Sequence, residues 1–379
     1  MTLSPQGRDE RCVADKASDL LVDVLRVYSP TASEGRLASL IKSRMESDFG
    51  YENVQTDEAG NVAAEVGRGE GSRTVLLCGH MDTVPGNLPV RVKDGRVFGR
   101  GAVDAKSALC AMIAAGSALQ DARMRVVVAC VTREEGDGLG IQSLIKGGRK
   151  FDFAVFGEPG GNGRITVGYR GRLGATLTTD TEGGHAGSPW AHESAVDASL
   201  SLLERLKKYE QEHLVADDHF RSLSVCLTMI RGGTYHNVLP SQARLTLDVR
   251  VPVGMNCAQV ESEIRSIVSR QKPREDSTRF KVEFEGGTEP YEADPTSLLL
   301  RAFRRAIILT SKQRPVMVRK TGTGDMNTLA SLRGIPCLTY GPGEASLSHT
   351  RHESVELSDY LKSISVITEA LRQLERLSG

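Results

Sequence analysis

The sequence predicts an α/β protein whose mostly parallel sheet is interrupted by an inserted α+β domain. In the first part of the chain, short apolar runs alternate with helical patterns, which is typical of a parallel sheet with helices on both faces. From about residue 168 the pattern changes to long alternating stretches, which favour antiparallel strands with one exposed face. The first pattern then resumes. We therefore predict a first domain in two segments, 1–167 and 287–379, and an inserted domain of four strands and two helices at 168–286.

The individual elements follow from the period of the apolar residues. Spacings of three and four residues predict helices, whereas alternation or short apolar runs bounded by Gly and Pro predict strands. Helices are predicted at 17–28, 37–45 (with Ser33 as its cap), 106–119, 141–145, 195–209, 258–269, 297–308 and 357–377. Strands are predicted at 53–56, 61–66, 75–78, 125–132, 153–156, 165–181, 223–230, 242–251, 279–285, 316–319 and 336–340.

Composition and charge argue against several classes of protein. Lys and Arg total 48, as do Asp and Glu, so no net charge favours nucleic acid or an anionic membrane as a partner. No apolar run approaches the roughly 20 residues of a transmembrane helix, and Met1–Lys16 lacks the apolar core of a signal peptide. The seven cysteines lack CxxC spacing, and five lie in apolar runs where a reduced thiol packs as a small hydrophobe: Cys78, Cys110, Cys130, Cys226 and Cys337. We expect a cytoplasmic protein without a disulfide framework.

The strongest chemical signal follows the apolar run Val75–Cys78. Gly79 ends this predicted strand and is followed by His80 and, two residues later, by Asp82. The carboxyl ends of strands in open α/β sheets are where ligands bind. The spacing lets the Asp82 carboxylate accept a hydrogen bond from the far ring nitrogen of His80, which fixes the tautomer of a metal-ligating histidine. A His-x-Asp motif alone is weak evidence, and its weight comes from residues downstream.

Further potential ligands stand at strand ends and loops in both segments of the first domain. Together with His80 they are Asp104, Glu135, Glu158 and His349. Imidazole nitrogen and carboxylate oxygen suit Zn²⁺, and the set is too large for one tetrahedral catalytic ion, but it fits two ions that share a carboxylate. The alternative is that these acids are merely solvated, but they follow apolar strands, where an unpaired charge is costly. Glu134 beside Glu135 favours the metal site, because adjacent carboxylates repel unless a cation neutralises one of them.

At these residues the sequence resembles the co-catalytic zinc amidohydrolases and exopeptidases that include acetylornithine deacetylase, succinyl-diaminopimelate desuccinylase and glutamate carboxypeptidase. The resemblance rests on motifs that follow one order along nearly the whole chain: GHMDTVPG, GRGAVDAK, REEGDG, GEP, GGHAGSP and SHT. It implies two Zn²⁺ per subunit, with Co²⁺ as a possible substitute. It also implies a homodimer formed through the inserted domain, which would serve as a lid and dimerisation domain.

The resemblance implies a role for each of the motif residues. The metal ligands would be His80 and Glu158 for one ion, Glu135 and His349 for the other, and Asp104 as the bridge. Asp82 would orient His80. Glu134 would be the general base that takes a proton from the metal-activated water and passes it to the departing amine.

Four residues of the inserted domain and the last segment complete the implied site. His185 of GGHAGSP would donate a hydrogen bond to the oxyanion, although the motif alone favours an ordinary turn histidine. Asn237 and Arg250 would contact a substrate carboxylate, which the arginine fork binds bidentately. A surface-strand arginine remains the alternative for Arg250. Thr323 would line the pocket.

The residues of three motifs indicate a narrower class of substrate. GAVDAK, VGYRG and GTYHN most resemble the branch that releases lysine or ornithine from an acidic amino-group carrier protein in lysine or arginine biosynthesis. The alternative is an N-acetyl-ornithine or N-acetyl-lysine deacetylase, which uses the same chemistry on a small N-acyl amino acid. A catalytically silent metal-binding relative is the alternative of another class. A carrier substrate predicts a basic rim, for which the candidates are Arg164, Arg170, Arg172, Arg319 and Lys320.

Overall fold

The structure is a computed structural model that describes residues 5–70 and 73–378, with side chains from residue 13 onward. Met1–Ser4, the start of the segment predicted to lack a signal peptide, lie outside the described residues. The chain forms two compact units. The first comprises 1–167, 293–318 and 328–379, and the second comprises 168–292 and 319–327. The second unit thus includes Arg319–Asn327, which the sequence places in the last segment of the first domain.

The elements are numbered in chain order. The helices are α1 (Pro5–Arg26), α2 (Gly35–Phe49), α3 (Lys106–Ser117), α4 (Leu139–Lys146), α5 (Ala195–Glu212), α6 (Cys257–Ser269), α7 (Leu298–Ser311), α8 (Asp325–Arg333) and α9 (Leu357–Ser378). The strands are β1 (Gln55–Thr56), β2 (Val62–Val66), β3 (Thr74–His80), β4 (Arg91–Lys93), β5 (Arg96–Phe98), β6 (Arg125–Val131), β7 (Phe153–Phe156), β8 (Arg164–Tyr169), β9 (Gly171–Asp180), β10 (Gly184–His185), β11 (Ser224–Gly232), β12 (Val238–Leu239), β13 (Gln242–Val251), β14 (Arg279–Thr288), β15 (Tyr291–Glu292), β16 (Val316–Lys320), β17 (Cys337–Thr339) and β18 (Ser354–Glu356).

The central sheet of the first unit is mostly parallel, as predicted. Seven of its nine strands have the order β1-β2-β6-β3-β7-β17-β8. β3 runs parallel to both β6 and β7, and β17 runs parallel to β7. β3 and β7 are buried along nearly their whole length because continuous apolar runs suit a strand that is covered on both faces. α3 is buried at almost every position, as its small apolar side chains predict, and it packs on β3.

A small three-stranded sheet, with the order β18-β5-β4, escaped the sequence prediction. Its strands have only three residues each, too few for an alternating pattern to be recognised. The antiparallel pairing of β5 with β18 brings the glycine-rich loop Gly99–Asp104 close to the C-terminal loop that contains His349. This sheet therefore positions two of the predicted metal ligands.

The second unit contains the predicted α+β architecture of four strands and two helices. Its antiparallel sheet has the order β11-β13-β9-β14, and α5 and α6 pack on it. The buried core consists of inward-facing residues of these strands and helices, such as Leu177, Leu247, Leu206 and Ile264. α6 begins with a capping box in which Asn256 accepts from the Gln259 backbone N–H and the Gln259 side chain accepts in return.

The structure corrects three local predictions. The stretch 165–181 is two strands, β8 and β9, separated at Arg170, because the Arg170 side chain turns inward and donates to the carbonyl groups of Thr321 and Ser222. The residue at the N-cap of α2 is Glu34 rather than Ser33, and it makes no side-chain cap bond. Cys226 is exposed, since it lies on the opposite face of β11 from the buried Val225.

Within residues 5–70 and 73–378, no helix combines the length and the apolar character that crossing a membrane requires.

Candidate metal centre and substrate contacts

The predicted metal ligands of the first unit lie at the carboxyl ends of adjacent strands. His80 is the last residue of β3, Glu135 follows the end of β6 by four residues, and Glu158 follows the end of β7 by two. Because these three strands run parallel, their carboxyl ends meet at one edge of the sheet. Asp104 and His349 reach the same place from loops.

These five side chains form two groups that share Asp104. One group is His80, Asp104 and Glu158, and the other is Asp104, Glu135 and His349; in each, the donor atoms lie within 4.8 Å of one another. Asp104 Oδ1 lies 3.5 Å from His80 Nε2, and Asp104 Oδ2 lies 3.3 Å from His349 Nε2. The two oxygens of one carboxylate thus face two different histidines, which is the arrangement of a bridging ligand.

The donor set fits two divalent cations. His80 is buried, and its Nε2 atom has no hydrogen-bond partner among the described residues, although a buried polar atom is normally satisfied. That nitrogen faces the Asp104 carboxylate at a distance longer than a good hydrogen bond. An imidazole nitrogen and carboxylate oxygens around one point are ligands that Zn²⁺ and similar ions take.

The negative charge of the cluster is visible in the pKa values of its histidines. Burial lowers the pKa of His80, but the neighbouring Asp104 and Asp82 carboxylates outweigh it and raise the pKa well above the usual 6.5. The hydrogen bond with Asp104 raises the pKa of His349 to about 9. Burial raises the pKa of the Glu135 carboxyl. The carboxylates therefore create a potential that attracts positive charge to this point.

Asp82 organises the site differently from the prediction. The nearest acceptor of His80 Nδ1 is the backbone carbonyl of Asp82 at 2.9 Å, whereas its carboxylate oxygen lies 3.5 Å away. That carboxylate accepts the backbone N–H groups of Glu134 and Glu135, at 3.0 and 3.1 Å, and the Thr31 hydroxyl at 2.8 Å. Asp82 thus orients His80 through its main chain and holds the Glu134–Glu135 turn through its side chain.

A second acid supports the same turn and escaped the sequence analysis. The buried Glu34 accepts the backbone N–H of Arg133 at 3.1 Å and that of Ala32 at 3.0 Å. Arg133 has a φ of 61°, which is uncommon for a residue other than glycine and needs support from its surroundings. No local motif marks Glu34, because its partner lies 99 residues further along the chain.

In the second unit, β10 and β12 bring His185 next to Asn237. His185 pairs with Val238 across this two-stranded ladder, and the Ala186 N–H donates to the Asn237 carbonyl at 3.0 Å. His185 Nδ1 accepts the backbone N–H of Gly187 at 3.0 Å, and the neutral ring therefore carries its proton on Nε2. The exposed His185 side chain thus presents an N–H donor to solvent.

Arg250 and Thr323, also in the second unit, are in direct contact. Arg250 Nη1 donates to Thr323 Oγ1 at 3.0 Å, and Arg250 Nε donates to Asp248 Oδ1 at 2.6 Å. Asp248 also accepts from Arg172 Nε at 2.7 Å. Arg250 is therefore held by Asp248 and is not simply a solvated strand arginine.

The prediction of a basic rim is wrong for four of its five candidate residues. Arg170 is buried and bonded to main-chain carbonyls, Arg172 pairs with Asp248, and Arg319 pairs with Glu292 at 2.6 Å. Lys320 lies over the ring of Tyr169, 5.6 Å from its centroid. These side chains stabilise the second unit internally, so they do not form a free cationic surface.

A family model described as Peptidase family M20/M25/M40 matches residues 76–373, a range that contains all five predicted ligands. The chain belongs to this family. Membership makes it a metal-dependent hydrolase of linear amides of the amidohydrolase and carboxypeptidase type.

Relatives with curated names align with this M20 enzyme over nearly its whole length. A "[LysW]-lysine hydrolase" of Deinococcus radiodurans is 33% identical over 95% of this chain and 98% of the relative. A "[LysW]-lysine/[LysW]-ornithine hydrolase" of Sulfurisphaera tokodaii is 28% identical over 95% of this chain and 96% of the relative.

Solved structures share the fold of this M20 enzyme at low sequence identity. The M20 family metallo-carboxypeptidase Sso-CP2 of Sulfolobus solfataricus matches with a TM-score of 0.77 at 17% identity, over 95% of this chain and 99% of that chain. The YXEP protein of Bacillus subtilis, described as a dinuclear metal binding peptidase, matches with a TM-score of 0.73 at 14% identity, over 97% of this chain and 98% of that chain. These two likenesses establish the fold.

Proposed function

We propose that this chain is a dinuclear zinc hydrolase that releases lysine, ornithine or both from the carrier protein LysW, in lysine or arginine biosynthesis. The single observation that supports the chemistry best is the pair of ligand groups that share Asp104. The names of the Deinococcus and Sulfurisphaera relatives support the substrate. We propose Zn²⁺ as the metal, with Co²⁺ as a functional substitute, because both accept mixed imidazole and carboxylate ligands.

The proposed ligands divide between two ions. His80 and Glu158 would hold one, Glu135 and His349 the other, and Asp104 would bridge them. Two such cations, when bound, lower the pKa of a shared water and polarise the scissile carbonyl.

Glu134 is the proposed general base. It stands directly before a ligand, on a turn whose backbone Asp82 holds by two hydrogen bonds. The Glu134 carboxylate would take a proton from the attacking water as the new C–O bond forms, and would then give it to the amine nitrogen as the C–N bond breaks. A residue that moves one proton twice needs a fixed position, which the Asp82 carboxylate supplies.

The second unit would supply the remaining contacts. His185 would donate a hydrogen bond from its Nε2–H group to the oxyanion. Its hydrogen bond with Gly187 favours this role because it keeps the ring proton on Nε2. Arg250, oriented by Asp248, would bind a substrate carboxylate together with Asn237 and Thr323.

We also propose a homodimer formed through the inserted domain. β11 is an edge strand of its sheet, and Met229 and Ile230 on that strand are 48% and 49% exposed. An exposed apolar edge is a template for pairing with a second chain. Light scattering of the wild type and of a Met229→Lys/Ile230→Lys variant tests this: a dimer that becomes a monomer is expected, and a monomeric wild type would contradict it.

To bind an acidic carrier protein, this chain needs cationic side chains that do not already form ion pairs with its own acids. Arg301, Arg304 and Arg305 lie on one face of α7, at spacings of three and four residues, beside the exposed Ile308 and Leu309. Among the described residues these three guanidinium groups make no ion pair. We therefore propose this face for docking of the carrier, in place of the predicted rim.

Release of free amine from a substrate panel tests the function. The panel contains LysW-linked lysine, LysW-linked ornithine, N-acetyl-ornithine, N-acetyl-lysine and N-succinyl-diaminopimelate, each with added zinc and with chelator. We expect zinc-dependent turnover of a LysW-linked substrate. Turnover of the acetyl substrates alone would show that the protein is a deacetylase and not a carrier hydrolase. No turnover of any substrate by a chain loaded with two zinc ions would show that it is a catalytically silent relative.

Docking of the carrier protein on α7 is tested by a separate measurement of KM. Charge reversal of Arg301, Arg304 and Arg305 to Glu should raise KM for the LysW-linked substrate and leave unchanged the hydrolysis of a short peptide that ends in the same linkage. An equal loss on both substrates, or no loss on either, would contradict docking on α7.

A further inference from the structure

Two buried charges near the candidate metal centre have no role in the proposed reaction. Arg100 is 7% exposed and Glu353 is 1% exposed, and Arg100 Nη1 lies 2.8 Å from Glu353 Oε2. Arg100 follows β5 and Glu353 precedes β18, so the pairing of these two strands places the charges together. A buried ion pair must recover a large desolvation cost through its other hydrogen bonds, and the partners of those bonds show what the pair does.

The free oxygen of Glu353 binds the main chain of the shared ligand. Glu353 Oε1 accepts the backbone N–H of Asp104 at 3.0 Å and that of Val103 at 3.0 Å. A charged acceptor makes stronger hydrogen bonds with backbone N–H groups than a neutral one does. The loop that carries Asp104 is therefore held at two successive residues by one buried carboxylate.

Further hydrogen bonds of Arg100 bind the loop that follows His80 and the loop that contains His349. Arg100 Nε donates at 2.8 Å to the carbonyl oxygen of Gly86, which lies in the loop that follows His80. Arg100 Nη1 also donates, at 3.2 Å, to the carbonyl of Thr350, the residue directly after His349. One guanidinium group and one carboxylate thus connect three loops, of which two carry Asp104 and His349 and the third directly follows His80.

We propose that Arg100 and Glu353 form a positioning pair that sets the distance between His80 and His349 around the Asp104 carboxylate. This inference rests on the proposed dinuclear site, since the pair would thereby set the spacing of the two cations. Neither residue belongs to the two groups of candidate metal ligands. Arginine suits the task because its planar fork presents donors in several fixed directions, whereas the lysine ammonium is a point charge on a flexible stem.

Two variants test the pair in the full-length chain. Glu353→Gln keeps the size of the side chain but removes the charge that holds Asp104, and Arg100→Lys keeps the charge but loses the fork. Loss of partners around metal ligands typically costs about 10- to 100-fold in metal affinity or activity. We expect each variant to bind the second Co²⁺ about tenfold or more weakly. We also expect a changed visible spectrum of the cobalt-loaded protein, and a lower kcat with KM at its wild-type value.

The same two strands offer a matched control. Arg96 and Glu356 form an ion pair with a 2.8 Å contact across β5 and β18, but this pair is partly exposed and contacts none of the three ligand loops. Glu356→Gln should therefore leave the cobalt affinity, the spectrum and kcat unchanged. A loss equal to that of Glu353→Gln would show that any disturbance of this sheet impairs the site, and it would overturn the proposal.

Retention of the wild-type cobalt affinity and spectrum in Glu353→Gln, with only a lower Tm, would reduce the pair to a structural role and overturn the proposal. If Glu353→Gln does not fold, Arg100→Lys decides by the same readouts. A wild-type chain that binds only one Co²⁺ would instead contradict the dinuclear site itself, so the two failures are distinguishable.

Discussion

The candidate metal centre of the first unit and the proposed substrate contacts of the second unit are organised differently. At the candidate metal centre, buried carboxylates hold the backbone N–H groups of the residues proposed to carry the chemistry: Asp82 holds Glu134 and Glu135, and Glu353 holds Asp104. In the second unit, His185 lies on a two-residue strand and is exposed, and Arg250 depends on a single acid, Asp248.

This difference follows from what each region would bind. A cluster of carboxylates repels itself, so its geometry must be enforced by the surrounding main chain before a cation arrives. Contacts to a substrate carboxylate need a donor in roughly the right place, and the substrate completes the arrangement. Disturbing the first region should therefore reduce kcat or metal binding, and disturbing the second should mainly raise KM.

The largest effect is expected at Glu134. Glu134→Gln keeps the shape of the side chain but cannot accept the proton of the attacking water, so kcat should fall by about 10²- to 10⁴-fold. Steady-state kinetics with a LysW-linked substrate measures it, and the number of bound metal ions should stay at the wild-type value. Loss of a metal ion in this variant would make Glu134 a ligand and contradict its role as base.

A smaller loss is expected for Asp82→Asn. The amide would turn an N–H toward one of the two backbone N–H groups that the carboxylate now accepts, and the Glu134–Glu135 turn would shift. We expect kcat to fall by about 10- to 100-fold. Thr31→Val is the matched control, because it removes only the hydroxyl that donates to Asp82. A wild-type kcat in Asp82→Asn would show that the turn does not depend on the Asp82 carboxylate.

In the second unit, Arg250→Ala should act mainly on KM. Hydrogen bonds between charged groups contribute about 1.5–3 kcal/mol, which corresponds to a loss of about 10- to 150-fold in kcat/KM. Arg172→Ala is the control, since Arg172 pairs with the same Asp248 but does not contact Thr323. A lower kcat with an unchanged KM would show that Arg250 does not contact the substrate.

The smallest effect concerns the pH dependence of stability. Burial raises the pKa of Asp248, but hydrogen bonds from Arg172 and Arg250 outweigh burial and hold the pKa below its usual 3.8. The unfolded chain therefore binds the proton first as the pH falls, and the stabilisation by this group is complete above about pH 5 and is lost in more acidic solution. Asp248→Asn should make Tm fall less steeply below about pH 5. Parallel Tm curves for the variant and the wild type would contradict this linkage.

Much of the fold was predictable because local patterns determine it. The continuous apolar runs of β3 and β7 and the small-residue helix α3 are recognisable without knowledge of their partners. The sequence also indicated the candidate ligands, since each one stands in a motif or after a strand.

The parts that escaped prediction depend on partners distant in the chain. Arg170 is buried because carbonyl groups of Thr321 and Ser222 accept its hydrogen bonds, and no neighbour in the sequence indicates that. Glu34 and Glu353 likewise act on residues 99 and 249 positions away, respectively. Periodicity reports which face of an element is buried, but it does not report which distant polar group that face will meet.

The most direct test of this account is the number of divalent ions bound per chain, measured by elemental analysis after loading with zinc and removal of free metal. We predict two ions in the wild type, one in Glu158→Gln, one in Glu135→Gln, and fewer than either single-site variant in Asp104→Asn. One ion in the wild type, or an Asp104→Asn variant that retains two, would contradict a centre in which Asp104 is shared by two cations.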